Sequence, residues 1–257
     1  MIDTLQLNLG LLVSAATVLW LVSLLLRNAS IVDPCWGLGF VLVAWTCLAK
    51  TEVADARAWL LVVLVTIWGV RLAAYLTWRN WGAGEDPRYT QMRNYHGQSF
   101  WWRSLGTVFL LQALILGFVS LPVQLAVLRS ASRLGLVDLA GVLLWCVGMF
   151  FESVGDFQLA RFRAQPENRG QVLATGLWRF TRHPNYFGDF CVWWGIYFVA
   201  VGGGAAGTLL SPLLMSVLLL YVSGVRLTEQ TIEDRRPAYR EYRRRTSAFF
   251  PRLPRHP

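Results

Sequence analysis

The chain has 257 residues, 55% of them hydrophobic, and its 24 lysines and arginines against 15 acids give a formal charge of +9. A mean hydropathy of +0.42, with the apolar residues gathered in blocks of about twenty, the length that spans a bilayer core, excludes a soluble globular enzyme. The charge does not make it a nucleic-acid binder, because the arginines border apolar runs and form no nucleic-acid module; anionic lipid headgroups or a phosphorylated cofactor are the expected counter-charges.

Seven apolar runs follow in order, at roughly 6–26, 31–49, 58–78, 105–127, 137–157, 186–203 and 206–225. Unpaired backbone groups are too costly in lipid for other open structures. The predicted fold class is therefore all-α, a polytopic bundle of seven transmembrane helices read as a single domain, 1–257, with a cofactor-binding part from about 150 onward. The first run lacks a basic leader and six more follow it, so it is expected to stay in the mature protein. All basic residues except Lys50 are arginine. With seven spans, Arg27, the loops 79–104 and 158–185 and the tail from Arg226 share one side, whereas the other carries only Lys50, Arg57, Arg129 and Arg133. The positive-inside rule then puts the N-terminus outside and the C-terminus in the cytosol.

Along the chain, "NASIVDPCWGLGF" places Asp33-Pro34 at the start of span 2, and "IWGVRLAAYLTWRN" places Arg71 and Tyr75 inside span 3. A charge within a span pairs or lines a polar cavity. Asp33 and Arg71 are candidate partners for each other, with Tyr75 one turn beyond Arg71. The cysteines, Cys35, Cys47, Cys146 and Cys191, all fall within spans without a CxxC pair, so packing thiols are expected and neither a disulfide frame nor a metal site.

Three long polar segments interrupt the spans on the basic side: Thr77–Arg103, Asp156–Phe190 and Val225–Pro254. In "GDFQLARFR", Asp156 and Arg163 follow helical spacing and reach one face, as a cofactor site or as a belt of snorkelling arginines. In "TGLWRFTRHPNYFGDF", Pro184 starts span 6. Asn185, Tyr186 and Asp189 then sit in its first turns, where free N–H groups and the dipole attract phosphate, and Arg179, Arg182 and His183 add positive charge. The run "VGGGAAGTLL" lacks the ending of a P-loop and reads as a tight helical hairpin. In the tail, Glu229, Glu233 and Arg236 keep helical spacing and Tyr239 and Tyr242 share a face, as in an amphipathic helix on anionic lipid.

Together, "GMFFESVGDFQLARFR", "GLWRFTRHPNYFGDFCVWWGIY" and "YREYRRRTSAFFP" resemble the steroid 5-alpha-reductase superfamily, and most closely its bacterial branch defined as a domain of unknown function (DUF1295); "VDPCWG" and "EDPRY" resemble that branch as well. The resemblance covers nearly the whole chain. It implies an NADPH-dependent enzyme of the bacterial inner membrane, with the cofactor on the cytoplasmic side. It would reduce a carbon–carbon double bond conjugated to a ketone in a lipophilic substrate, without an obligate protein partner. Cofactor contacts carry over onto Asp156, Arg163, Arg179, His183, Asn185, Tyr186 and Asp189, and through the tail onto Arg226, Glu229, Tyr239 and Tyr242. Steroid reductases polarise the ketone with a tyrosine in span 3 and an acid near the start of span 2. Asp33 fits the second role. When Arg71 marks the register, the tyrosine position holds Trp68, so either Tyr75 substitutes or the substrate is not a 3-ketosteroid. An asparagine of the cofactor motif is Glu152 here. "RHPNYFG" is also similar to the "RHPxYxG" element of membrane methyltransferases of the isoprenylcysteine and phospholipid type. In that alternative S-adenosylmethionine occupies the same helix start, with Glu229 on its amino group. The arginine surplus suits the extra phosphate of NADPH better than a zwitterion.

Overall fold

The computed structural model describes every residue except 130–132, 223, 226–228, 230, 231, 233–235, 237 and 255–257. Among the described residues the secondary structure is helical with no strand; an isolated bridge joins Thr181 and Ser247. The chain is an all-α integral membrane protein. Among the described residues five helices are long and apolar enough to cross a bilayer: Ile2–Leu26, Ala29–Lys50, Ala56–Asn80, Pro87–Val119 and Leu136–Ala164. The sixth apolar run forms Pro184–Gly202, whose first turns carry the polar residues of the motif, and the seventh forms the shorter helix Ala206–Val222.

Two compact units divide the chain: Met1–Gly135 with Ala200–Thr208, and Leu136–Val199 with Leu209–Pro257. The first unit is built on α1 (Ile2–Leu26), α2 (Val32–Lys50) and α3 (Ala56–Asn80). Asp55 starts α3 by accepting the Ala58 N–H at 2.8 Å, satisfying one of the donors that a helix start leaves open. A Cβ on Gly37 would stand 2.6 Å from the Gly69 carbonyl oxygen, so α2 and α3 touch backbone to backbone. After α3 come α4 (Pro87–His96) and α5 (Phe100–Ser104), which runs through a π turn into α6 (Leu111–Val119), then α7 (Leu121–Leu128). Asn8 of α1 donates to Gln124 Oε1 of α7 at 2.9 Å and to Cys47 Sγ of α2 at 3.2 Å, a polar tie among apolar helices.

The second unit rests on α8 (Leu136–Ala164) and α9 (Pro184–Gly202). One face of α8 exposes Leu139, Leu143, Val147 and Phe150, a stripe that lipid satisfies. The opposite face buries Gly141, Gly148 and Gly155 at seven-residue spacing. A Cβ on Gly141 would lie 2.7 Å from the Gly195 carbonyl oxygen, one on Gly148 2.6 Å from that of Gly188, and one on Gly155 3.1 Å from the Pro184 ring. The glycines let the two backbones meet, and this seam sets the start of α9 against the end of α8. Gly148→Ala should lower stability by about 1–3 kcal/mol because neither backbone can yield. Thermal unfolding in detergent reads this; an unchanged midpoint would mean the helices part without cost. α10 (Leu210–Val217) and α11 (Tyr239–Arg245) also belong to this unit.

Candidate functional site

Chemistry-bearing side chains gather in two clusters, one in each unit. In the first, the stretch "EDPRY" folds onto "NASIVD". Asp86 caps α4 by accepting the Arg88 N–H at 2.9 Å, and Pro87 fills the first helical position. The Asp86 N–H donates to Ser30 Oγ at 2.6 Å and the Ala29 N–H to Glu85 Oε1 at 2.7 Å, while Arg93 pairs with Glu85 at 2.8 Å. Burial works to raise the Glu85 and Asp86 carboxyls. Hydrogen bonds from Arg93 and the Ala29 N–H, and from Arg88, outweigh it and hold both below their ordinary values.

That fastening brings two side chains onto Asp33. The Tyr89 hydroxyl donates to Asp33 Oδ1 at 2.6 Å and Arg88 Nη2 to Asp33 Oδ2 at 2.8 Å. Gln112 Nε2 donates to the Tyr89 oxygen at 3.4 Å. Tyr89 is 6% exposed and the Asp33 side chain 13%. The expected Asp33–Arg71 pair does not form. Arg71 instead lies over the Tyr75 ring, 5.4 Å from its centroid, with Arg79 at 5.8 Å. The reason is local: α4 delivers Arg88 to Asp33, whereas Arg71, one turn before Tyr75 on α3, lies over that ring. Trp68 is fully buried, edge-on to Phe40 at 5.6 Å.

The second cluster joins the start of α9 to the tail. Gln158 Oε1 of α8 accepts the Leu177 N–H at 3.0 Å, and Trp178 Nε1 donates to the Gly155 carbonyl at 3.1 Å, so the turn Gly176–Arg179 is strapped to α8. Gly176 has φ +60°, a conformation that glycine adopts freely. The Arg182 N–H donates to the Ser247 carbonyl and the Arg252 N–H to the Phe180 carbonyl, at 2.9 and 3.0 Å. Phe190 packs edge-on against Phe249 at 5.5 Å and Phe250 at 5.8 Å. The tail therefore lies along the motif.

At the centre stands Glu229. Arg182 donates to it twice, at 2.7 and 3.0 Å, His183 Nε2 lies 3.0 Å away and the Tyr239 hydroxyl donates at 2.9 Å. Burial pushes the Glu229 carboxyl up, but the His183 and Arg182 hydrogen bonds and the arginine charge outweigh it and bring it down to about 2. The same burial, with the Glu229 charge, raises Tyr239. Burial raises Tyr242 too, and its hydroxyl donates to the Trp178 carbonyl.

Of the sequence candidates, His183, Glu229, Tyr239 and Tyr242 thus share one internal network, and Tyr186 stacks on His183 at 5.4 Å. Asn185 Nδ2 donates to Asp156 Oδ1 at 3.3 Å across the glycine seam. Asp189 is half-buried one turn further along α9, and Arg163 and Arg179 are exposed. Arg226 and Glu233 lie outside the described residues. Sequence reasoning missed Arg88 and Tyr89, although an Asp-Pro pair followed by a polar-aromatic run is a helix-start signal. Arg182 entered it only as added charge.

The fold and these clusters define a helical integral membrane protein with one polar centre near the start of α2 and another at the start of α9. The family described as a protein of unknown function (DUF1295) matches residues 19–246, which include both centres, and the chain belongs to that family. It is also similar to the uncharacterized protein C594.04c of Schizosaccharomyces pombe, with 28% identity over 277 residues that cover 95% of this chain and 79% of that protein. No solved structure matches the chain.

Proposed function

We propose that the protein is an NADPH-dependent membrane reductase acting on a carbon–carbon double bond conjugated to a carbonyl in a lipophilic substrate, a 3-oxo-Δ4-steroid or a related enone. The observation that carries this reading is the Tyr89 hydroxyl, buried and held between Asp33 and Gln112. Reducing an enone moves an electron pair onto the carbonyl oxygen, and a fixed neutral donor is what stabilises that charge. Rotation about the Cζ–Oη bond turns the Tyr89 O–H from Asp33 to a carbonyl oxygen without moving the ring, while Arg88 keeps Asp33 paired. NADPH, when bound, supplies the hydride to the carbon beta to the carbonyl. In the second unit the Asp156–Asn185 pair at the first turn of α9 suits the polar part of a dinucleotide, and exposed Arg163 and Arg179 suit its phosphates. Seven spans with an external N-terminus and the cofactor on the cytoplasmic side of a bacterial inner membrane belong to the same reading, supported by the arginine asymmetry. The methyltransferase alternative requires Glu229 to take an ammonium group, yet its carboxylate already accepts from Arg182, His183 and Tyr239.

NADPH added to detergent-purified protein should raise its unfolding temperature, and S-adenosylmethionine should leave it unchanged. A shift with S-adenosylmethionine alone, or with neither compound, overturns the reductase. Asn185→Ala should weaken NADPH binding about tenfold, the loss of a hydrogen bond or two to a charged or polar ligand. Titration at equilibrium reads it, and wild-type affinity would remove Asn185 from the site.

A further inference from the structure

Beneath the tail of the second unit lies a cavity of about 240 Å³, lined by Arg182, Arg243, Arg244, Arg245, Arg252 and Leu253. We propose that it binds the phosphate of an anionic lipid headgroup, independently of any nucleotide site.

The floor of the cavity is rigid. Arg182, only 8% exposed, donates to the backbone carbonyls of Arg243 and Thr246, and the bridge from Thr181 to Ser247 holds the same strip. Its charge is not spent inside the protein. Arg182 is balanced by Glu229 and Arg245 by Glu241, but the guanidinium groups of Arg244 and Arg252 make no hydrogen bond or ion pair among the described residues. Two guanidiniums lining one cavity that holds no acid are a site for a planar or tetrahedral anion, and phosphate oxygens match their fork of donors.

Size and setting select the source of that phosphate. Sites for drug-sized ligands occupy roughly 300–1,000 Å³, so about 240 Å³ matches a phosphate with a short polar attachment better than a whole dinucleotide. Leu253 is 82% exposed and Phe250, though packed on Phe190, still 50%, which places exposed apolar surface beside the arginines. That pairing is the signature of a surface seated in the headgroup layer. The cavity also sits where headgroups are. Arg182 stands two residues before the apolar helix α9, and Phe187 and Phe190 of its first turns hold Phe249 and Phe250.

Native mass spectrometry of the full-length protein in neutral detergent tests this, titrating dihexanoyl phosphatidylglycerol, dihexanoyl phosphatidylcholine, inorganic phosphate and NADPH separately. Phosphatidylglycerol should bind most tightly of the lipids and more tightly than inorganic phosphate. Each of Arg244→Gln and Arg252→Gln should weaken it about fivefold and the pair about thirtyfold, whereas Arg244→Lys with Arg252→Lys, which keeps the charge but not the fork, should fall between the wild type and the glutamine pair. NADPH affinity should be the same in all of them. Loss of NADPH affinity in the glutamine variants with lipid binding intact would assign the cavity to the nucleotide. Inorganic phosphate binding as tightly as the lipid would make it a free-anion site. Lipid binding unchanged by the glutamine variants would make the arginines a solvated face. Each of these three results overturns the proposal, and none bears on whether the protein reduces enones.

Discussion

Replacing Tyr89 with phenylalanine should lower turnover of an enone by about 100- to 1,000-fold, or about 3–4 kcal/mol, while NADPH affinity and unfolding temperature stay close to wild type. The substitution removes a single oxygen. The ring remains buried, α4 keeps its Asp86 cap, and Asp33 retains Arg88 at 2.8 Å. What is lost is the donor that meets the developing charge, so the effect should fall on kcat rather than KM. Steady-state kinetics with a soluble enone, together with an equilibrium NADPH titration, separates the two. Tyr75→Phe provides the comparison. That ring has Arg71 and Arg79 at 5.4 and 5.8 Å, whereas the donors on the Asp33 carboxylate are Arg88 and Tyr89, so its hydroxyl should be dispensable to within about twofold. Full activity in Tyr89→Phe with a collapse in Tyr75→Phe would move the donor back to α3, to the tyrosine the motif pattern first suggested.

The membrane helices were legible because hydrocarbon imposes a length and a composition that any single sequence displays, and runs as monotonous as Ile2–Leu26 admit no other structure. Side-chain pairing inside the bundle was not. Arg71 looked like the partner of Asp33 because intramembrane charges tend to pair, but Arg88 reaches Asp33 from the polar segment Thr77–Arg103, read as a loop. Pro87 in fact opens α4, behind an Asp86 cap. Around α9 the polar motif was visible as a cluster, yet a cluster does not say which members face a ligand and which face each other. Glu229 lies 46 and 47 residues from His183 and Arg182. No local periodicity relates positions that far apart, so the network that immobilises four candidate ligands emerges only in the folded chain. The glycines at 141, 148 and 155 fall at an interval the sequence does display. Hydropathy, the signal that found the spans, is blind to them because a glycine scores as neither core nor surface.

Glu229→Gln should be the most destabilising substitution at the α9 end, by roughly 3–5 kcal/mol near neutral pH. Glutamine keeps the shape but leaves Arg182, 8% exposed, buried without a counter-charge, and it weakens the bonds from His183 and Tyr239 that draw the tail onto α9. The carboxyl's own titration points to the same scale. Its fall from 4.5 to about 2 corresponds to roughly 3 kcal/mol of folding free energy. The sign follows from that direction. A depressed carboxylate stabilises the fold fully above 4.5 and loses its contribution as pH falls from there toward about 2. The wild type should therefore exceed the glutamine variant by a constant margin from about pH 7 to pH 5, and the margin should shrink below that. Unfolding midpoints in detergent across this range, with limited proteolysis of the tail as a second readout, measure it. A margin absent at neutral pH, or undiminished near pH 3, would show that the tail is held by its aromatic contacts with Phe187 and Phe190 and not by the buried charge. Because Asn185 stands two residues after His183, a tail released in this way should also weaken NADPH binding in the variant, and the weakening should be larger than in Asn185→Ala, since the whole start of α9 loses its anchor.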